Sequence, residues 1–386
     1  MDNVSVISAR QCCGCGICTN VCSGGGGVIL CLDNNGYYKR QVNEDKCTHC
    51  GKCVEVCPCM SELKIVPGAS FAGSCISVGD TRKSASGGAG YAIAKAYMKK
   101  GYAVIGAAWS EDFKRVEHII AESASDLERL RKSKYVQSCT VDAFKRIKDF
   151  ENVVVFGTPC QIAGLRNQYG HRDGMILVDF DCMGPAGLNL WDKALGYYNS
   201  IDGSGIEAVR MRDKKKSWMM YGMGIEFRSG RVYWNDKFHD PFCILYNFGR
   251  TIQDACTRDC RFLNASLADV RIGDAWNYTD GFTAGQIRDG LSVITPLTTL
   301  GSAVLREISD VFHLKEVVRN TQAIPAAVEN ERLTECINDP DRTIMDAVRI
   351  YHDVGVLRRI GRKISYILSA NDRVYLLIKR LLRKLR

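Results

Sequence analysis

This 386-residue chain is predicted to be an α+β / α/β protein in three parts: a small cysteine-rich module over about residues 1–66, a mixed α/β body over 67–330, and a basic helical tail over 331–386. Three observations predict it. Cys12, Cys15, Cys18 and Cys22 read C-x2-C-x2-C-x3-C, and Cys47, Cys50, Cys53 and Cys57 repeat the spacing before Pro58. Short apolar runs alternate with helical stretches from Phe71 to about Pro325, the pattern of layered α/β proteins. From Arg358 to Arg386 there are ten Lys/Arg and one acid, which leaves 42 of each sign in the chain before it.

The cysteine spacing is that of a bacterial two-cluster ferredoxin. Three thiolates two residues apart wrap one face of a [4Fe–4S] cube, and the fourth reaches the other cube. The expected ligand sets are therefore Cys12, Cys15, Cys18 and Cys57 for one cluster, and Cys47, Cys50, Cys53 and Cys22 for the other. Two zinc sites or a disulfide framework are the competing readings; the duplicate register and the C-P ending weigh against them. Ser23 stands where the first motif would usually carry proline. His49, between two ligands, is placed to tune a cluster. Between the motifs, Val28-Ile29-Leu30 and Tyr37-Tyr38-Lys39 flank Asp33-Asn34-Asn35-Gly36, a turn sequence that predicts a hairpin.

In the body the pattern predicts helices at Gly88–Lys100, Val141–Lys148, Gln161–Asn167 and Leu188–Tyr198. It predicts strands at Ala103–Trp109, Val153–Phe156, Met175–Phe180, Asp269–Ile272 and Leu291–Thr295, with an antiparallel excursion over Ile206–Trp234. At least part of the sheet should be parallel. In such sheets, ligands bind where strands end and helices begin. Two segments stand there. Ser84-Ala85-Ser86-Gly87-Gly88-Ala89-Gly90 opens a helix, where glycines and free N–H groups suit a diphosphate, although a plain Gly-rich turn reads the same way. Phe156-Gly157-Thr158-Pro159-Cys160-Gln161 puts a cysteine at a helix N-terminus, which favours the thiolate. With Cys182 after the next strand, and Cys256 and Cys260 in C-x3-C spacing, Cys160 makes a candidate third [4Fe–4S] site. Buried inert cysteines or a catalytic thiol are the other readings of these four.

Five segments occur in one order: Ser84–Gly88, Lys132–Ser138, Phe156–Gln161, Val178–Pro185 and Ala268–Trp276. That succession resembles the coenzyme F420 hydrogenase/dehydrogenase beta-subunit family over about residues 1–280. The resemblance implies an FAD-binding domain served by the N-terminal module, with the flavin exchanging a hydride with the deazaflavin F420 or with an organic substrate. It implies Ser86, Gly87 and Gly88 at the FAD diphosphate, and Lys134 and Thr158 at the flavin pocket. A cation at Lys134 would stabilise the reduced flavin. The alternative for Lys134 is an ordinary solvated lysine. Two departures stand out: Met183 replaces the family's histidine, and C-x3-C replaces C-x2-C at Cys256 and Cys260.

With 46% hydrophobic and 25% charged residues the composition is that of a soluble globular chain. Nineteen cysteines in a chain starting without a basic or apolar leader predict a reducing, cytoplasmic setting. The neutral body argues against a nucleic-acid surface. In the tail, Val374, Leu377, Ile378, Leu381 and Leu385 share one helical face among basic residues, which reads as a docked terminal helix or a peripheral contact with anionic lipid or another protein chain. His118 and His239 read as packing or surface residues. The expected function is an oxidoreductase exchanging electrons with a redox partner protein or a small-molecule hydride donor or acceptor. The alternatives are a non-enzymatic electron-transfer subunit docking on a separate catalytic partner, and a redox sensor.

Overall fold

The computed structural model describes residues 2–23, 25–65, 69–249, 251–257, 260–319 and 330–353. The expected amphipathic face of the tail lies outside them. In the cysteine module, the two halves are built alike. Gly16 and Gly51, both left-handed at φ 78° and 79°, open one-turn helices α1 (Ile17–Asn20) and α2 (Lys52–Glu55), which carry Cys18 and Cys53. A side chain in that backbone region is strained, so glycine is required for the turn. Between the halves runs the expected hairpin of β1 (Val28–Leu32) and β2 (Tyr38–Val42), in register from Val28↔Val42 to Leu32↔Tyr38. Asp33 closes its turn by accepting N–H bonds from Asn35 and Tyr37.

The body begins with β3 (Lys64–Ile65), β4 (Ala69–Cys75), α3 (Val78–Lys83), α4 (Ala89–Lys99), β5 (Ala103–Trp109) and β6 (Val116–Ala121). It continues through α5 (Ala124–Leu130), β7 (Ser138–Cys139), α6 (Val141–Lys145), β8 (Val153–Gly157), α7 (Pro159–Tyr169), β9 (Met175–Phe180) and α8 (Leu188–Ile201). The strands β10 (Ile206–Asp213), β11 (Gly222–Phe227) and β12 (Val232–Asp236) form the expected antiparallel excursion as their own sheet. Then come α9 (Pro241–Asn247), β13 (Ala265–Ser266), β14 (Val270–Asp274), α10 (Ala284–Asp289), β15 (Ser292–Pro296), α11 (Thr299–Glu307), β16 (Phe312–Val318), α12 (Glu331–Asn338) and α13 (Ile344–Asp353). Strands β4, β6 and β16 are additions to the expected set.

Among the described residues, nine strands make one mixed sheet in the order β16-β4-β15-β14-β9-β8-β5-β6-β7. Its centre, β14, β9, β8 and β5, is parallel, and β4 runs the same way because β15 is antiparallel to both β4 and β14. Five strand ends therefore meet at one edge: Cys75, Trp109, Gly157, Phe180 and Asp274. Val153, Val155 and Leu177 point to one face and pack on α6 and α7, while Val154, Ile176 and Val178 point to the other and pack on α4 and α11. Continuous apolar strands are what a sheet buried on both faces needs.

The cysteine module docks on the α7 face. A Cβ at Gly164 would lie 2.6 Å from Ile17 Cγ1, so the helix has a notch where fully buried Ile17 seats. Thr140 Oγ1 donates to the Cys15 carbonyl at 2.8 Å.

His118 on β6 is buried, with Nε2 at 3.1 Å from the Phe156 carbonyl and its ring edge-on to Phe144. It is a packing residue, as expected. Burial pushes its pKa down to about 4. A histidine whose folded value is depressed binds its proton more readily when unfolded, so stability present above pH 6.5 is lost as pH falls towards 4. Between pH 7 and 5 this group should cost about 2 kcal/mol. His118→Leu should flatten that limb in denaturant titrations; an unchanged acid limb would contradict the assignment.

Candidate cluster and cofactor sites

Cys12, Cys15, Cys18 and Cys57 line one small cavity, closed by Val4 and Ile7. The fourth cysteine of the second motif thus stands with the first three of the first. On the other side, Cys22 Sγ would lie 3.2 Å from a Cβ at Gly27, beside the Lys46 carbonyl next to Cys47. Amide donors aim at the sulfurs: Val4 N–H at Cys53 Sγ (3.2 Å) and Asn3 Nδ2 at Cys47 Sγ (3.5 Å). Ser23 Oγ, in the place of the usual proline, lies 3.9 Å from Cys50 Sγ. Burial, with Cys12 and Cys57 nearby, pushes the Cys18 thiol up to about 12. Loading a metal must therefore displace that proton.

The four other candidate cysteines, far apart in sequence, come together at the parallel edge. Cys160 follows β8, Cys182 follows β9, and Cys256 and Cys260 arrive on the loop before β13; all four line a cavity of about 1050 Å³. Cys256 ends a short 3₁₀ turn (Asp254–Cys256). Gly184 at φ 92° brings its backbone close to Cys256, whose Cβ would be 2.7 Å from an added Cβ. Gly184 N–H donates to Cys182 Sγ (3.4 Å) and Gln253 Nε2 to Cys256 Sγ (3.3 Å). The Cys160 thiol is raised, not lowered as its helix N-terminus predicted: contact with the Cys13 thiol and burial outweigh the helix. Burial likewise pushes Cys182 up to about 12.

Among the described residues, the group of three or more metal-binding side chains whose ligand atoms all lie within 4.8 Å of one another is Glu44, Cys47 and His49. None of the three four-cysteine sets is drawn in to the roughly 3.8 Å sulfur spacing that Zn–S bonds of about 2.3 Å impose. All nineteen cysteines are unpaired.

One buried ion pair holds the loop of Cys256 and Cys260. Arg271 on β14 grips Asp179 on β9 with both arms, Nε to Oδ1 at 2.9 Å and Nη2 to Oδ2 at 2.8 Å. The rest of the guanidinium donates to the carbonyls of Phe262, Leu263 and Ala265. Ser266 Oγ adds a bond to Asp179 at 2.6 Å. Both side chains are at most 1% exposed.

The flavin candidates lie at the same edge. Gly88, left-handed at φ 94°, opens α4 with no side-chain cap, so the first N–H groups of that helix are free for an anion. Gly87 has another role: its N–H donates to Ser292 Oγ at 2.9 Å, and a Cβ there would meet the Gly73 carbonyl at 2.3 Å. Ser86 Oγ bonds Ser292 Oγ. Thr158 caps α7 and lies 3.2 Å, through Oγ1, from Cys160 Sγ. Lys134 is half-buried and held by its own chain segment. Its ammonium donates to the carbonyls of Arg129 (2.9 Å) and Arg131 (2.8 Å), and burial lowers its pKa to about 7.

The cation that sequence reasoning missed is Arg212. Its side chain is 5% exposed, pairs with Asp274 through Nη1 at 2.6 Å and lies over the rings of Tyr221 and Trp276, yet Nε and Nη2 have no partner. Lys214, on the same side of the strand end, donates to the carbonyls of Thr81 and Ser86. In sequence both sit inside Arg210-Met211-Arg212-Asp213-Lys214-Lys215-Lys216, which reads as a solvated charge run.

An α/β sheet carrying a docked cysteine module and a cysteine-lined edge defines a class, and comparison with known proteins shows what it is similar to. The family model for the carboxy-terminal part of the coenzyme F420 hydrogenase/dehydrogenase beta chain matches residues 150–319, and a “4Fe-4S binding domain” matches residues 40–60. Residues 150–319 are thus similar to the carboxy-terminal part of that family's beta chain. The coenzyme F420-dependent sulfite reductase of Methanocaldococcus jannaschii is 30% identical over 331 residues, 81% of this chain and 48% of that protein. The chain thus spans about half the length of this relative. A chain of the F420-reducing [NiFe] hydrogenase complex from Methanosarcina barkeri, solved as a xenon derivative, aligns at 16% identity and TM-score 0.46, covering 75% of this chain and 91% of that one. Among the described residues, no helix is long and apolar enough to cross a membrane.

Breaking a buried pair by removing one partner costs about 3–5 kcal/mol, whereas replacing both by apolar residues can be neutral. Asp179→Ala should therefore destabilise by that amount in denaturant unfolding. The double variant Asp179→Leu/Arg271→Met should recover most of the stability but lose iron, because nothing then grips the cysteine loop. Full iron in the double variant would contradict this role.

Proposed function

We propose that the chain is an iron–sulfur flavoprotein oxidoreductase that couples hydride chemistry at FAD to one-electron transfer through [4Fe–4S] clusters. The observation that carries this reading is the meeting of Cys160, Cys182, Cys256 and Cys260 beside the cysteine module, at the sheet edge where α/β proteins bind ligands. Cys12, Cys15, Cys18 and Cys57 hold one cluster, Cys47, Cys50, Cys53 and Cys22 a second, and the four edge cysteines a third. Bound FAD supplies the exchange between a hydride pair and single electrons. The orphaned donors of Arg212 and the uncapped start of α4 at Ser86 and Gly88 receive its diphosphate, because buried donors without acceptors cost about 1–3 kcal/mol each. Thr158, beside Cys160, stands where flavin and third cluster adjoin.

The relative's name brings coenzyme F420 as the hydride carrier, with the sulfite chemistry of that longer protein left to a partner. The second reading is an electron-transfer subunit that docks on a separate catalytic chain, the basic tail being its contact with a partner or an anionic membrane surface.

Anaerobically purified and reconstituted protein should hold about one FAD per chain, reducible by reduced F420. Arg212→Gln should lose most of that flavin and keep its iron. No flavin in the unsubstituted protein would leave only the electron-transfer reading, and full flavin in Arg212→Gln would move the diphosphate elsewhere. Gly87→Val does not serve as a test, since it would clash with the Gly73 backbone.

A further inference from the structure

One buried amide joins the cysteine module to the edge cysteines. Gln253 precedes the short 3₁₀ turn Asp254–Cys256, and its carbonyl accepts from the Cys256 N–H at 2.9 Å. The turn folds the Gln253 side chain back over the sulfur three residues on, with Nε2 donating to Cys256 Sγ at 3.3 Å. Its other contacts are with the module. Nε2 donates to the Cys13 carbonyl at 3.2 Å, and Oε1 accepts from Lys39 Nζ at 3.2 Å. The same ammonium donates to the Cys12 carbonyl at 2.6 Å.

These neighbours dictate which end of the amide faces which group. A carbonyl can only accept and an ammonium can only donate, so Oε1 must face Lys39 and Nε2 must face the Cys13 carbonyl. The second N–H of Nε2 is then left for Cys256. Gln253 is 3% exposed, and a buried N–H needs an acceptor in the protein. Gln137 supplies the comparison. It is 4% exposed, and its Nε2 donates to the same Cys13 carbonyl at 3.1 Å. Its remaining bonds go to the backbone of Tyr38, not to a cysteine sulfur. Two glutamines thus hold one peptide of the module, and Gln253 is the one that also donates to an edge sulfur.

We infer that Gln253 raises the reduction potential of the cluster at Cys160, Cys182, Cys256 and Cys260 by donating an N–H to the Cys256 sulfur. The inference rests on the third-cluster reading. One-electron reduction adds negative charge to a cube and its sulfurs, so an N–H aimed at a ligand sulfur binds the reduced state more strongly and favours reduction. The donor belongs to an amide held at its other contacts by Lys39 and the Cys13 carbonyl, so the seated module fixes its aim. The module thereby helps to set the potential of the cluster with which it exchanges electrons.

Gln253→Met removes both N–H groups at similar size. Gln253→Glu keeps an acceptor for Lys39 but puts a carboxylate where the donor was. Gln137→Met frees the same Cys13 carbonyl without touching a sulfur. The readouts are iron per chain and the cluster midpoint potentials, followed by EPR in redox titrations of the full reconstituted protein. Gln253→Met should keep about twelve irons while one cluster becomes roughly tenfold harder to reduce, about 59 mV more negative for one electron. Gln253→Glu should move the same cluster further in that direction, and Gln137→Met should leave it in place. Unshifted potentials in Gln253→Met, or an equal shift in Gln137→Met, would overturn the inference. So would loss of about four irons in both Gln253 variants, which would make the side chain a support of the loop. About eight irons in the unsubstituted protein would overturn the third cluster itself.

Discussion

Arg271 and Asp179 are the constraint on which the site depends. Taking two charges out of water costs several kcal/mol per ion, and only close geometry with every donor satisfied offsets it. Here the fork is bidentate, and its remaining donors are taken by the Phe262, Leu263 and Ala265 carbonyls. Another path for residues 262–265 would take those carbonyls away from the buried donors. The pair thus ties the loop bearing Cys256 and Cys260 to the strand that leads into Cys182. Beside it, Asp269 repeats the device, accepting from Arg166 on α7 and from the Leu177 amide on β9. Charge is buried where loops must be held still.

The second constraint is the seat of the module. Ile17 in the Gly164 notch, Thr140 on the Cys15 carbonyl and two glutamines on the Cys13 carbonyl hold the first cysteine motif against the body, and Asn167, donating to the Val56 and Cys57 carbonyls, holds the end of the second. The distance between the two cysteine cavities is therefore set by packing and peptide hydrogen bonds, which do not yield by more than fractions of an ångström. Electron transfer over a rigid gap is what such a joint is suited to. The Arg212 cluster lies at the same sheet edge, so the proposed cofactor and cluster sites share one scaffold.

The module was legible because its chemistry is local: duplicate spacing, glycine turns and the hairpin are written within 60 residues. The central strands were legible as apolar runs between helices. Strands β4 and β16 were not, since Ala69–Cys75 is built of small residues and Phe312–Val318 alternates as an exposed edge does. Cys160, Cys182, Cys256 and Cys260 were recognisable as candidates but not as neighbours, because only the parallel order of β8, β9 and β14 brings them together. Lys134 shows the converse: a charged run cannot say that its ammonium turns inward to cap carbonyls. Arg212 was hidden for the same reason.

The central claim is that the edge cysteines hold a cluster of their own, next to the module. The most direct test is iron and sulfide per chain of anaerobically reconstituted protein, unsubstituted and as Cys182→Ala/Cys256→Ala. The account predicts about twelve irons falling to about eight. Equal iron in the two proteins would contradict it.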